Sequence, residues 1–276
     1  MGSDPAAAAR ARSQTVLWWH RSLRTIAVLN IALWSLSAMT LGREYPSGAP
    51  DAARAQLLLS ALYVAGCAFR SFLPVIDIPR IVLVDSRWSS VLVGRSVATI
   101  AELSFAAQWA LLLHQVAWSL GSPFLNAVSW AVVPFIVLAQ ACCWYAVLTT
   151  KQWAHAFENS LWGLAAALVV AGMLLSGPAQ HLALYAPTVA GGALYVAFIF
   201  LYDVPMYWSR WLADQSKRRS YRSLSEGLIS ISRPGSVSYR WAHWRHEIPW
   251  MSLYFTFGVW SSIWLVHASQ ILGHRD

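Results

Sequence analysis

Charged residues are scarce in this chain. Only 12% of its 276 residues are Asp, Glu, Lys or Arg, where a soluble domain carries about 25%. Beside a 57% apolar content, that scarcity excludes a soluble enzyme and a disordered tail. Lysine is almost missing: Lys151 and Lys217 are the only two, and neither falls inside an apolar run. A retinal-type Schiff base needs a lysine within a span, so a light-driven rhodopsin is disfavoured. Cysteine is limited to Cys67, Cys142 and Cys143, an odd number that makes no disulfide framework. All three read as small apolar residues inside helices. No Gly-rich phosphate loop and no His-Glu zinc-protease pattern occurs, and the sequence specifies no cofactor.

What is present is a set of long uncharged intervals. A helical span takes about 20 mostly apolar residues. Between Glu102 and Lys151 lie 48 residues without a charge, and between Glu158 and Asp203 lie 44. Each is too long for one helix and suits two, broken at Gly121-Ser122-Pro123 and at Ser176-Gly177-Pro178. With single spans elsewhere, the chain is expected to be all-α: a polytopic integral membrane protein with a seven-helix transmembrane bundle. The spans fall at about 25–42, 55–74, 94–118, 126–150, 159–176, 183–206 and 249–271. Helices satisfy every backbone group within lipid, and these runs are too long for barrel strands. The first exceeds the about 7–15 apolar residues of a cleaved signal peptide, so it reads as a retained helix.

The basic residues then orient the chain. Seventeen of the 20 Lys and Arg precede the first span or lie in or beside the second, fourth and sixth connections. Only Arg43, Arg54 and Arg275 belong to the opposite side. The expected topology therefore has residues 1–24 in the cytoplasm, helices one to six over 25–206, a basic cytoplasmic loop over 207–248, and a seventh helix with a short outer tail over 249–276. The expected location is the plasma membrane, or the inner membrane if the cell is bacterial. In the large loop, Tyr221, Leu224, Leu228 and Ile231 recur at helical spacing, and Trp241, Trp244 and Ile248 share a second face. Both read as amphipathic elements lying on headgroups. Lys217, Arg218, Arg219 and Arg222 would meet anionic membrane lipids, each worth about 1 kcal/mol near the surface. Nucleic acid is not an expected partner; a membrane-complex partner is a further option.

Seventeen tryptophans also stand out. Most fall where an aromatic belt is expected, while Trp34, Trp109, Trp144, Trp260 and Trp264 sit deeper and either pack between helices or line a cavity.

Ionisable groups inside spans mark functional hypotheses, because each costs about 2.5–3.5 kcal/mol at a helix centre. Glu102 and Asp203 are the candidate catalytic groups, Glu102 as a proton-carrying acid/base. Arg95, Thr99, Glu102 and Trp109 share one helical face. Arg95, Thr99, Trp109 and Glu158 are the candidate binding residues. Seven positions, two turns, separate Arg95 from Glu102, so Arg95 can offset the Glu102 charge only through an intermediate or a neighbouring helix. Asp203, near the end of the sixth span, calls for a cation such as Arg80, Arg95 or Arg210. Glu158 opens the fifth span, where the helix dipole favours it. No metal centre is specified; His243, His246 and Glu247 come nearest, spaced for one helical face but lacking a fourth ligand. His114, His181 and His267 read as hydrogen-bonded side chains between helices.

All firm intramembrane charges fall in the cytoplasmic half. The leading expectation is therefore a cytoplasm-facing polar site for a lipid-soluble or small substrate, in a binding protein or an intramembrane enzyme. The alternatives are a small-molecule or ion transporter or channel, and a scaffold or assembly subunit of a membrane complex.

Overall fold

The structure, a computed structural model, describes residues 5–46, 48, 50–176 and 182–273. It is all-α apart from one small sheet. The helices are α1 (Pro5–Glu44), α2 (Asp51–Phe72), α3 (Val91–Leu120), α4 (Pro123–Thr149), α5 (Gln152–Ser176) and α6 (Leu182–Phe198). A π turn over Ile199–Asp203 carries α6 into α7 (Val204–Ser216). The chain then forms α8 (Leu224–Ser232), α9 (Trp241–Trp244) and α10 (Glu247–Leu253), and a second π turn over Tyr254–Gly258 leads into α11 (Val259–Gly273).

Six helices are long and apolar enough to cross a membrane, the sixth running from α6 through the π turn into α7. The seventh predicted stretch, 249–271, is helical from Glu247 to Gly273 but is not one of the six. Ser252, Thr256, Ser261, Ser262 and His267 dilute its apolar character. Large apolar side chains are solvent-exposed along the six, with Leu58, Trp130, Leu194 and Leu201 each more than 60% exposed. Exposure on that scale is what a lipid-facing surface requires.

The expected break between spans three and four is present: α3 ends at Leu120 and α4 starts at Pro123. Gly121 takes a φ of 60°, and the Ser122 hydroxyl accepts the Leu125 amide at 3.3 Å as an N-cap. The turn predicted at Ser176-Gly177-Pro178 falls largely on residues outside those described, as does His181.

The chain divides into two compact units. The first comprises Met1–Ala49, Ser60–Ala101 and Leu228–Trp264. Its small sheet pairs β1 (Val75–Ile76) antiparallel with β2 (Ile81–Val82), and β2 parallel with β3 (Ser236–Val237). The amides of Ser236 and Ser238 donate to the carbonyls of Arg80 and Val82 at 2.9 and 3.0 Å. A cis Ile78–Pro79 bond lies in the turn between β1 and β2. Around the second π turn, Asn30 spends both ends of its amide. Its Nδ2 donates to the Phe255 carbonyl at 2.8 Å, and its Oδ1 accepts Trp260 Nε1 at 3.1 Å. Trp244, expected on the headgroups, is instead fully buried. Its indole donates to the Ser238 carbonyl at 2.7 Å and packs 5.8 Å from the Trp19 ring. An indole with both its nitrogen and its faces engaged gains more from burial than from an interface.

The second unit comprises Pro50–Leu59, Glu102–Gly227 and Leu265–Asp276. α4 ends where Thr150 turns left-handed, φ 63°, and its amide reaches the Ala146 carbonyl at 2.7 Å. That cap lets α5 start two residues later. Gln56 and Gln108 bond each other's carbonyls reciprocally, at 2.9 and 3.2 Å, a wholly buried cross-link between α2 and α3. Further along α3, His114 bonds Asn126 of α4 at 3.0 Å, as a histidine between helices is expected to do.

The start of α8 is fixed by a capping box. The Ser223 hydroxyl accepts the Glu226 amide at 3.3 Å, while the Glu226 carboxylate accepts the Ser223 amide at 2.9 Å. That backbone bond first, the Ser223 hydroxyl second and the Arg222 charge third hold the Glu226 carboxyl below its usual range. A folded pKa below the unfolded value of about 4.3 means that the cap is fully formed above that pH. It is lost as the pH falls through the lowered folded value. The Ser223 amide resonance should titrate at a pH below the ordinary glutamate range, and Glu226→Gln should abolish the transition.

Candidate functional site

Six helical segments of the second unit bring polar groups together in an otherwise apolar bundle. α3 contributes Glu102 and α4 contributes Gln140 and Cys143, three residues apart on one helical face. The first turns of α5 contribute His155 and Glu158 at the same spacing, and the π turn contributes Asp203. α6 contributes Tyr195 and α7 contributes Tyr207.

Glu102 is buried, 8% exposed, and its carboxylate accepts the Gln140 amide at 2.5 Å. Its hydrogen-bond partner thus comes from the neighbouring helix α4. Glu158 is equally buried and bonds His155 Nδ1 at 2.7 Å. The His155 ring lies 5.0 Å from the Tyr207 ring at 32°, which fixes its plane. Cys143 is fully buried, and its sulfur lies with a His155 nitrogen and a Glu158 oxygen in a group no more than 4.8 Å across. Tyr195 stands within electrostatic reach of Asp203, Glu102 and Glu158 together. Three of the expected site residues, Glu102, Glu158 and Asp203, therefore act electrostatically on one phenol.

Asp203 does not sit at a helix end. Pro205 has no amide to donate to Leu201, so the ladder shifts register and the Val204 amide reaches back to Ile199. The helix continues past Asp203 to Ser216 instead of ending. Arg210, one of the cations proposed for Asp203, lies 5.5 Å from the Tyr207 ring centre. Trp109 packs edge-on against Phe105 of its own helix, with centroids 6.4 Å apart.

Arg95 and Thr99 belong to the first unit. There Arg95 pairs with Asp77 at 3.5 Å, and both side chains are largely buried. His243 lies in α9, which ends at Trp244, Glu247 opens α10, and His246 lies between the two. His243 bonds Ser238 at 2.8 Å, while His246 accepts the Arg245 guanidinium at 2.9 Å. Among the described residues, the one group of three or more such ligands close enough to share an ion is Cys143, His155 and Glu158. The basic residues Lys217, Arg218, Arg219 and Arg222 are all exposed, and Arg219 pairs with Asp214 at 3.2 Å.

Gln140, Cys143 and His155 are members of this cluster that sequence reasoning passed over. One signal for them was available, the His155-x-x-Glu158 spacing at the start of a span. No family model, characterised protein or solved structure matches the chain.

Proposed function

We propose that this multi-pass membrane protein threads the plasma membrane seven times, with its N-terminus in the cytoplasm and its C-terminus outside. We further propose that its second unit holds a cytoplasm-facing polar site for a lipid-soluble or small substrate. The observation that carries the reading is the set of buried carboxylates Glu102 and Glu158, held by Gln140 and His155, which with Asp203 act electrostatically on Tyr195. Carboxylates within an apolar bundle are costly and are retained where they bind or move protons. Glu102 is the acid/base, positioned by Gln140. Asp203 orients the ligand from a π turn, an irregularity that concentrates at functional sites. Lys217, Arg218, Arg219 and Arg222 rest against anionic headgroups on the same side.

Transport is the second reading, favoured by the π turns at Ile199–Asp203 and Tyr254–Gly258. Interrupted helices are what a translocation path uses.

Native mass spectrometry of the purified protein tests the site. A small molecule should accompany the wild-type chain and be missing from Glu102→Gln and Asp203→Asn, with Gly191→Ala as the loaded control. Retention of the molecule by Glu102→Gln would reject Glu102 as the acid/base. A cysteine placed at Gln115 that reacts from the outer side would favour transport.

A further inference from the structure

We propose that Cys143, His155 and Glu158 form a binding site for a zinc-class transition-metal ion. The inference concerns the same polar cluster as the substrate site and shares Glu158 with it, but it does not depend on that reading. Metal binding is read without any substrate, so either reading can fail while the other stands.

Geometry comes first. The three ligand atoms already lie within 4.8 Å of one another. A tetrahedral ion with bonds of about 2.0–2.3 Å holds its ligands about 3.3–3.8 Å apart. Binding would draw the ligand atoms together by roughly 1 Å. The positions are also fixed from outside the trio. His155 is braced by the Tyr207 ring, and the Asn159 side chain donates to its backbone carbonyl at 2.9 Å. Cys143 and Glu158 sit on the buried faces of α4 and α5.

The chemistry selects the ion. One thiolate, one imidazole and one carboxylate make a borderline-soft donor set that suits zinc and disfavours magnesium and calcium. Charge balance supports the same conclusion. A thiolate and a carboxylate together carry two negative charges, which a divalent ion cancels inside an apolar bundle. Binding releases the thiol proton, so affinity rises with pH. Three protein ligands leave a fourth position for water or a substrate atom, the arrangement of reactive zinc sites rather than structural ones.

Cys142 supplies an internal control. It is the next residue on α4 and points to a different, half-buried face. Cobalt(II) added to the chelator-treated, full-length protein in detergent should bind at roughly one equivalent per chain and give a thiolate-to-cobalt absorption band. That band should vanish in Cys143→Ala and persist in Cys142→Ala. Glu158→Gln, which keeps the side-chain shape, should weaken binding at least about 10-fold. Zinc should displace the cobalt and slow alkylation of Cys143 but not of Cys142. The proposal is overturned if the wild-type protein gives no thiolate band, or if the band survives in Cys143→Ala. It is equally overturned if zinc leaves the Cys143 alkylation rate unchanged, which would make the trio a metal-free thiol–imidazole pair. Should Cys143→Ala fail to fold, the wild-type spectrum and the alkylation rates decide the matter alone.

Discussion

Gly227→Ala should destabilise the protein by about 3 kcal/mol or more, the upper end of what overpacking costs. Gly227 is buried at the start of α8, against the end of α4. A Cβ built there overlaps the Leu148 carbonyl oxygen and lies 2.8 Å from the carbonyl carbon and 3.0 Å from Cα. All three atoms are backbone, in the last turn of a long helix, so no side chain can swing aside. The neighbouring segment is tied to the same place, since the Arg222 amide donates to the Thr149 carbonyl at 3.2 Å. The added methyl must either lift α8 or break that bond. In a thermal melt, a loss of this size lowers the midpoint by roughly 6–12 °C. Gly191→Ala is the contrasting control. A Cβ there meets nothing within 4 Å, so the substitution should be neutral or stabilise helix α6 by about 1 kcal/mol. A Gly227→Ala protein that melts with the wild type would mean that α8 does not dock on α4.

That contact also shows where sequence reading reaches its limit. The α8 region reads from its sequence as an amphipathic helix, with Tyr221, Leu224, Leu228 and Ile231 as its apolar stripe. In the structure Leu224 and Leu228 are more than half exposed, while Gly227 and Ile231 form the buried face. Periodicity counts apolar side chains, and a glycine chosen for close approach contributes nothing to the count. The long helices were legible for the opposite reason. Charge-free runs of 48 and 44 residues admit little else, and Gly121-Ser122-Pro123 carries its turn chemistry openly. The three strands were not legible, because two residues have no period and the partners of β3 lie more than 150 positions away.

The candidate site divides along the same line. Glu102, Glu158 and Asp203 could be found because an ionisable residue in an apolar run is conspicuous. Gln140 and Cys143 could not, because an amide or a thiol in a span is cheap and common. What makes them matter is the helix opposite, and pairing between helices is a tertiary fact. Arg95 shows the converse. Its place on the Glu102 face suggested a shared ligand, but the carboxylate at 3.5 Å belongs to Asp77, a loop residue just past β1.

The Arg95–Asp77 pair therefore supports a structural role for Arg95, and the expected result is large. The two side chains are 8% and 15% exposed. Removing one partner of a pair that deeply buried costs about 3–5 kcal/mol, because the remaining charge keeps its desolvation penalty and loses a compensating charge. Asp77→Ala and Arg95→Met should each lower the thermal midpoint accordingly. The double substitution should cost clearly less than the two losses added, since replacing both charges removes the penalty along with the attraction. A ligand-orienting Arg95 would behave differently. Arg95→Met would then strip the bound small molecule seen by native mass spectrometry, and adding Asp77→Ala would not restore it. Stability recovered in the double variant with the small molecule retained places Arg95 in the scaffold. Additive losses with the molecule gone would return it to the site beside Glu102.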